Sequence, residues 1–206
     1  MDDTQSIELR FTAHDGCNTL LAAMLNSNWG PNIIATPEIM RGRFATGNLF
    51  VFAFDHANEE DQRFISKTYG LHVAREEIIP VGLLETIAIR TSGDYSAVPR
   101  SYDLLTDSGR WRAPAHDADT LIMVDVTTLT TRRGKNGKGE AKKIVNFTKK
   151  LVEGNENYGH VWTFTPLIPE VKKWHMGLGA RDTEHVIANA RPGYRFSDVN
   201  LMVYKG

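Results

Sequence analysis

The segment Asp125–Ile144 constrains this chain more than any other. A β-branched run, Val126-Thr-Thr-Leu-Thr-Thr131, enters a turn holding Gly134, Gly137 and Gly139, and a helix pattern follows. Strand, glycine turn and helix start in that order build an anion cradle. Glycines reach backbone angles closed to other residues, consecutive N–H groups converge, and the helix N-terminus adds partial positive charge. Glycines at a helix entrance cost stability and contribute no packing, which points to something pressed close against the backbone. The ligand expected there carries phosphate.

Charge agrees with that reading. Residues 132–150 hold eight basic side chains (Arg132, Arg133, Lys135, Lys138, Lys142, Lys143, Lys149, Lys150) against Glu140 alone, in a chain of 206 residues with formal net charge −1. Positive charge is therefore concentrated in one place. A nucleic-acid binder would be basic more broadly and would interleave aromatics, whereas this window has only Phe147, so no nucleic-acid partner is expected. The lysines of 142–150 also read as the solvated face of an amphipathic helix.

The remaining pattern fits one domain over residues 1–206. With 41% hydrophobic residues the chain can bury a full core. Cys17 stands alone, which excludes an internal disulfide framework, and it has no context marking a nucleophile. No apolar run is long enough to cross a bilayer, and Met-Asp-Asp-Thr-Gln lacks the parts of a signal peptide. A cytoplasmic protein without membrane contact is expected. His14, His72 and His160 show no ligand spacing, so no metal is expected.

Ile7–Thr12 alternates like a first strand. Asp15 can cap a helix carrying Leu20, Leu21, Met24 and Leu25, which Gly30-Pro31 stops. A short helix over Pro37–Arg43, a strand over Asn48–Phe54 and another over Pro80–Thr91 follow. Residues 92–118 are polar and form a long excursion, expected as a functional flap. Ala118–Thr131 is the central strand. The helix Gly139–Val152 after it has the stripe Ala141, Ile144, Val145, Leu151 and Val152, and a fifth strand is His160–Thr165. A helix over Pro169–Leu178 ending at Gly179 and a hairpin of Glu184–Ala190 and Val199–Tyr204 complete a mixed α/β sheet. An edge strand in that hairpin allows a homodimer.

With Asn136-Gly-Lys-Gly-Glu-Ala141 in place after the central strand, the chain resembles the GCN5-related N-acetyltransferase (GNAT) superfamily. That superfamily's acyl-CoA pyrophosphate signature is Gln/Arg-x-x-Gly-x-Gly/Ala, and asparagine replaces its first residue here. Trp174-His-Met-Gly-Leu-Gly-Ala180 is similar to the family's aromatic-x-x-x-Gly-Phe element. A narrower resemblance, to GNAT-like domains of malonyl-CoA decarboxylases and polyketide synthase loading modules, rests on Trp174, His175, Gly179 and Ala180, on Thr165-Pro-Leu-Ile-Pro169, on Trp29 and on Asn189-Ala-Arg191-Pro192.

The resemblance implies a GNAT fold with a central, mixed, mostly antiparallel sheet flanked by helices and splayed at the acyl-CoA site. It implies acetyl-CoA or another acyl-CoA as co-substrate and a small molecule or a carrier protein as acyl acceptor. Leu129, Thr131, Arg132, Arg133, Gly134, Lys135, Asn136, Gly137, Lys138, Gly139, Glu140 and Ala141 would hold it, with free backbone N–H groups around Leu129–Thr131. Asp125, Thr127 and Leu129 fall on one strand face by alternation. Asp125 stands where histone-type members carry a general base, or is a salt-bridged strand carboxylate. Thr127 lies near a catalytic hydroxyl position of the decarboxylase-like branch, or reflects β-propensity. His175 moves protons, or is a core histidine. Trp29 lines the acyl pocket or only packs, and Arg191 binds an anion or forms a surface ion pair. Acyl transfer, decarboxylation and non-enzymatic acyl-CoA binding all remain open at this point.

Overall fold

The computed structural model describes residues 15–29, 35–133, 139–188 and 198–205. The strand expected over 7–12, the loop Gly134, Lys135, Asn136, Gly137 and Lys138, the Trp29 side chain and Arg191 lie outside the described residues.

In chain order the elements are α1 (Asp15–Trp29), α2 (Pro37–Phe44), β1 (Phe50–His56), α3 (Glu59–Tyr69), β2 (Ile78–Ile89), α4 (Tyr102–Thr106), β3 (Thr120–Thr128), α5 (Glu140–Glu153), β4 (His160–Pro166), α6 (Pro169–Gly177), β5 (Arg181–Ala188) and β6 (Asp198–Lys205). The six strands form one sheet in the order β1-β2-β3-β4-β6-β5. Every neighbouring pair is antiparallel except β3 and β4, which run parallel. A parallel pair needs a crossover connection, and α5 is that connection.

Local chemistry explains the helix ends. Thr36 caps α2 by accepting from the Ile39 N–H, with Pro37 at the first helical position, where a missing N–H costs nothing. Helix α3 was not anticipated, although its signals are present: Asn58 and Asp61 form a reciprocal capping box, and Gly70 closes it in a left-handed conformation, φ 67°. Along α5 the buried stripe is Ile144, Val145, Thr148 and Val152, with Leu151 exposed rather than buried as expected.

Helices cover both faces of the sheet, so apolar side chains form two cores. Ile144, Val145 and Val152 of α5 and Ile65 of α3 pack on Val81, Leu84, Leu121 and Met123. On the opposite face, Met40 of α2 joins Leu83, Ile87, Ile122 and Trp162. Residues 92–118 belong to this second core instead of standing off as a flap. Val98, Leu105 and Trp111 are buried in it, the Trp111 indole N–H donates to the Thr86 carbonyl at 2.9 Å, and Asn48 Nδ2 donates to the Arg112 carbonyl at 2.6 Å. A polar composition hid three apolar anchors spaced along it.

Candidate functional site

Two irregularities in β3 create the site. The first is a bulge: Thr86 pairs with Met123 and Glu85 with Asp125, leaving Val124 as the extra residue. One additional residue reverses the side-chain alternation beyond it. Asp125 consequently points to the α2 side of the sheet with Ile122, and Thr127 shares that side with its partner Leu83. The expected common face of Asp125, Thr127 and Leu129 does not hold, because Leu129 lies past the strand end and is buried in the α5-side core.

The second irregularity is the splay. Strands β3 and β4 pair only from Thr120–His160 to Met123–Thr163, after which the ladder stops while both strands continue. One edge of Val124–Thr128 thus has no strand partner among the described residues. The parted strands frame an open cleft of about 280 Å³. Val124, Val126 and Thr128 of β3, Thr163, Phe164 and Pro166 of β4, and Val171, Trp174 and His175 of α6 line it, with Ile168, Asn28, Arg133 and Ala141. The wall is mostly apolar with few polar groups, as small-molecule clefts are.

His175 is brought to this cleft by α6, which starts on Pro169. It is 6% exposed, and its Nδ1 lies 2.7 Å from the Tyr204 hydroxyl of β6. That contact occupies Nδ1 and leaves Nε2 as the ring nitrogen available to the cleft. Burial depresses the imidazole pKa to about 4, so the ring is neutral at pH 7. Trp174 meets it edge to face at 4.8 Å.

Asp125 occupies the opposite situation. It is 1% exposed and does not line the cleft. Burial first, and then the adjacent Glu85 charge, hold its carboxyl well above the usual range. Glu85 is itself fully buried and accepts from Arg43 Nη1 at 3.0 and 3.2 Å. The Arg43 guanidinium also donates to the Gly109 carbonyl and lies 4.1 Å over the Trp111 ring. Tyr102 reaches Asp125 Oδ2 at 3.4 Å. Burial raises Glu85 too, and the upward shift of the acids favours a proton shared by Asp125 and Glu85 beside Arg43, which limits the net charge the core must hold.

Among the residues expected to hold phosphate, two cations part ways. Arg132 is 6% exposed and committed to structure: it donates to Asp61 and Asp55, at 2.5 and 2.8 Å, and to the His56 carbonyl. The Thr131 hydroxyl donates to the same Asp61. These two side chains tie the exit of β3 to β1 and α3, so the expectation that they grip the ligand is corrected. The amide expected to be free at Leu129 is also used, donating to the Val81 carbonyl at 2.9 Å. The unpaired backbone lies upstream, at Val124–Thr128.

Arg133, by contrast, lines the cleft. Its guanidinium donates to the Thr128 carbonyl, from Nη2 at 2.9 Å and Nε at 3.2 Å, and to Asn28 Oδ1. Among the described residues it pairs with no carboxylate, and burial lowers its pKa. An exposed cation in the cleft lining, held among the described residues by neutral oxygens, suits an anionic ligand. Gly139 precedes α5 in a left-handed conformation, φ 75°, with no side-chain cap among the described residues, a helix start whose first N–H groups could meet an anion. Glu140 is buried there and Ala141 lines the cleft. Asn28, Tyr204, Glu85 and Arg43 were not singled out from sequence. A carboxylate inside the apolar run Val81–Ile89 was the one available signal, because a buried charge demands a partner.

No protein-family model matches the sequence, and no curated protein matches it by sequence. Solved structures do share its fold. The GphF GNAT-like decarboxylase in complex with isobutyryl-CoA superposes with a TM-score of 0.64 at 11% identity, covering 93% of this chain and 96% of that one. Arabidopsis thaliana NAA60 in complex with acetyl-CoA gives 0.56 at 13% identity, over 91% and 93%. The loading GNATL domain of CurA from Lyngbya majuscula gives 0.50 at 13% identity, over 77% and 98%. The chain has the GNAT fold. No helix among the described residues is long and apolar enough to cross a membrane.

Proposed function

We propose that this chain binds an acyl-CoA thioester between β3 and β4 and transfers acetyl or another short acyl group to an amine or thiol, on a small molecule or a carrier protein. The observation that carries this reading is the splayed cleft itself, with His175 and Arg133, a cation paired with no carboxylate among the described residues, in its lining. The fold supports it, since two of the neighbours named above are complexes with acyl-CoA or acetyl-CoA. The α5 N-terminus with Arg133 would take the diphosphate, the unpaired edge of β3 the pantetheine amides and thioester oxygen, and the apolar wall the acyl group.

In transfer, the acceptor's nitrogen or sulfur bonds to the thioester carbon and the carbon–sulfur bond breaks, its electron pair leaving on sulfur. His175 takes the acceptor's proton at Nε2 and gives it to that sulfur. A depressed pKa makes the imidazolium short-lived, which favours the return of the proton. Asp125, enclosed by Glu85 and Tyr102, is not placed for this step and acts on stability instead.

A second reading is decarboxylation of a malonyl-type thioester. One observation favours it: among the described residues no carboxylate side chain lines the cleft, so a malonyl carboxylate would meet no like charge there. The carbon–carboxylate bond would break, its electron pair would pass to the thioester enolate, and Nε2, protonated transiently from solvent, would give that proton to the carbon and return the ring to neutrality. A panel of acyl-CoAs, assayed with and without amines, separates the readings. Acceptor-dependent release of CoA supports transfer. Conversion of malonyl-CoA to acetyl-CoA with the thioester intact supports decarboxylation. Absence of both, with no heat on injecting CoA, overturns the site.

A further inference from the structure

One acceptor on the unpaired edge of β3 is already taken. Leu129 sends its N–H to the Val81 carbonyl of β2, so the trans peptide before it turns the Thr128 carbonyl the other way, towards the gap left by β4. Arg133 lies across that carbonyl, donating from Nη2 at 2.9 Å and from Nε at 3.2 Å. Nη2 also donates to Asn28 Oδ1, in the last turn of α1. The carboxamide is held in that sense because its Nδ2 donates to Thr127 Oγ1 at 2.5 Å. Arg133, Thr128 and Asn28 all line the cleft, so the guanidinium bridges α1 and β3 over ground that an extended ligand must cross.

An amide of a pantetheine arm laid along this edge would need the Thr128 carbonyl that Arg133 holds. A neutral N–H offers that oxygen one ordinary hydrogen bond in place of two from a cation, so the exchange is unfavourable by itself. A diphosphate reverses the balance, because the displaced guanidinium then trades neutral oxygens for an anion. Ala141, in the first turn of α5, lines the same cleft, which brings that helix start and Arg133 to one space.

We propose that Arg133 is a ligand-displaced plug and the specificity-determining residue of the cleft: it admits thioesters that carry a diphosphate and turns away the same arm without one. The plug rests on the acyl-CoA reading of the β3–β4 cleft. It makes the donor a free coenzyme A thioester in preference to a thioester on a pantetheine arm that lacks the diphosphate. Transfer and decarboxylation are served alike, since selection precedes the chemistry.

Acetyl-CoA and S-acetyl-pantetheine are each titrated by calorimetry into the full chain and into Arg133→Ala, with thermal melting confirming the fold of both. A residue that only met the diphosphate would weaken acetyl-CoA when removed and leave S-acetyl-pantetheine unchanged. A plug gives opposite signs. Arg133→Ala should tighten S-acetyl-pantetheine about 10-fold and still weaken acetyl-CoA, so the preference between the two narrows by about 10-fold or more. S-acetyl-pantetheine that binds the variant no more tightly than the unaltered chain overturns the plug, while binding of acetyl-CoA to the unaltered chain leaves the site standing. Acetyl-CoA that binds the variant as tightly as the unaltered chain overturns it as well, because the guanidinium then gained nothing from the diphosphate. Failure of the unaltered chain to bind acetyl-CoA overturns the site and the plug with it.

Discussion

Asp125 and His175 are two buried titratable side chains close to the same strand junction, and they solve opposite problems. Asp125 is enclosed by Arg43, Glu85 and Tyr102, in a buried cluster between α2, β2, β3 and the 92–118 excursion that favours its protonated form. His175 bonds Tyr204 through Nδ1, and it lines an open cleft. Burial perturbs both, raising the acid and lowering the base, so perturbation alone does not mark the catalytic group. Access decides between them. The bulge at Val124 turns Asp125 away, and the parting of β3 from β4 exposes the neighbourhood of His175.

Breaking the closed cluster should produce the largest change. Arg43→Ala strips Glu85 of its counter-charge and Trp111 of its stacked guanidinium. The urea midpoint should report a loss of about 3–5 kcal/mol. Breaking the open site should keep the fold and remove the chemistry: His175→Ala is expected to lower kcat about 10²-fold or more, roughly 3 kcal/mol in the barrier, with a stability loss of only about 1–3 kcal/mol from the orphaned Tyr204 hydroxyl.

Titration sharpens the contrast because the two groups carry opposite signs. The His175 pKa falls on folding from an ordinary 6.5 to about 4. Above pH 6.5 the ring is neutral folded or unfolded. As pH drops from there towards 4, the unfolded chain binds a proton that the folded chain refuses, so stability declines by on the order of 2–3 kcal/mol. His175→Asn should flatten that acid limb in urea titrations. Asp125 is raised on folding, so its contribution is intact below the ordinary aspartate range and declines as pH climbs towards the folded value. Asp125→Asn should flatten the slope on that side.

The smallest effect belongs to that same substitution at pH 7. Asparagine copies the shape and donor of the protonated acid, so stability should stay within about 1 kcal/mol of the parent and turnover should change little. A loss of turnover comparable to that of His175→Ala would reverse the comparison and make Asp125 the base.

Much of the fold was legible because it is written in short-range patterns. Apolar period in α1 and α5, proline at the starts of α2 and α6, and β-branched runs in β2 and β3 all depend on residues a few positions apart. Helix α3 carried equally local signals in Asn58, Asp61 and Gly70 and was passed over. The site was less legible. Arg132 and Arg133 are adjacent and chemically identical in sequence, yet one is consumed by Asp61 and Asp55 while the other faces the cleft. Asn28 reaches Thr127 and Arg133 across about a hundred residues, and Tyr204 reaches His175 from another strand.

By itself the sequence determined a mixed sheet with a glycine-rich basic segment after its central strand, and a histidine on a helix beyond the next one. Periodicity, turn chemistry and local charge are properties of neighbouring residues. Only the tertiary structure decided which side of the sheet each β3 residue faces and where an amide edge is left bare. A single extra residue in a ladder inverts every side chain after it, and whether a ladder ends is set by the partner strand rather than by the strand itself.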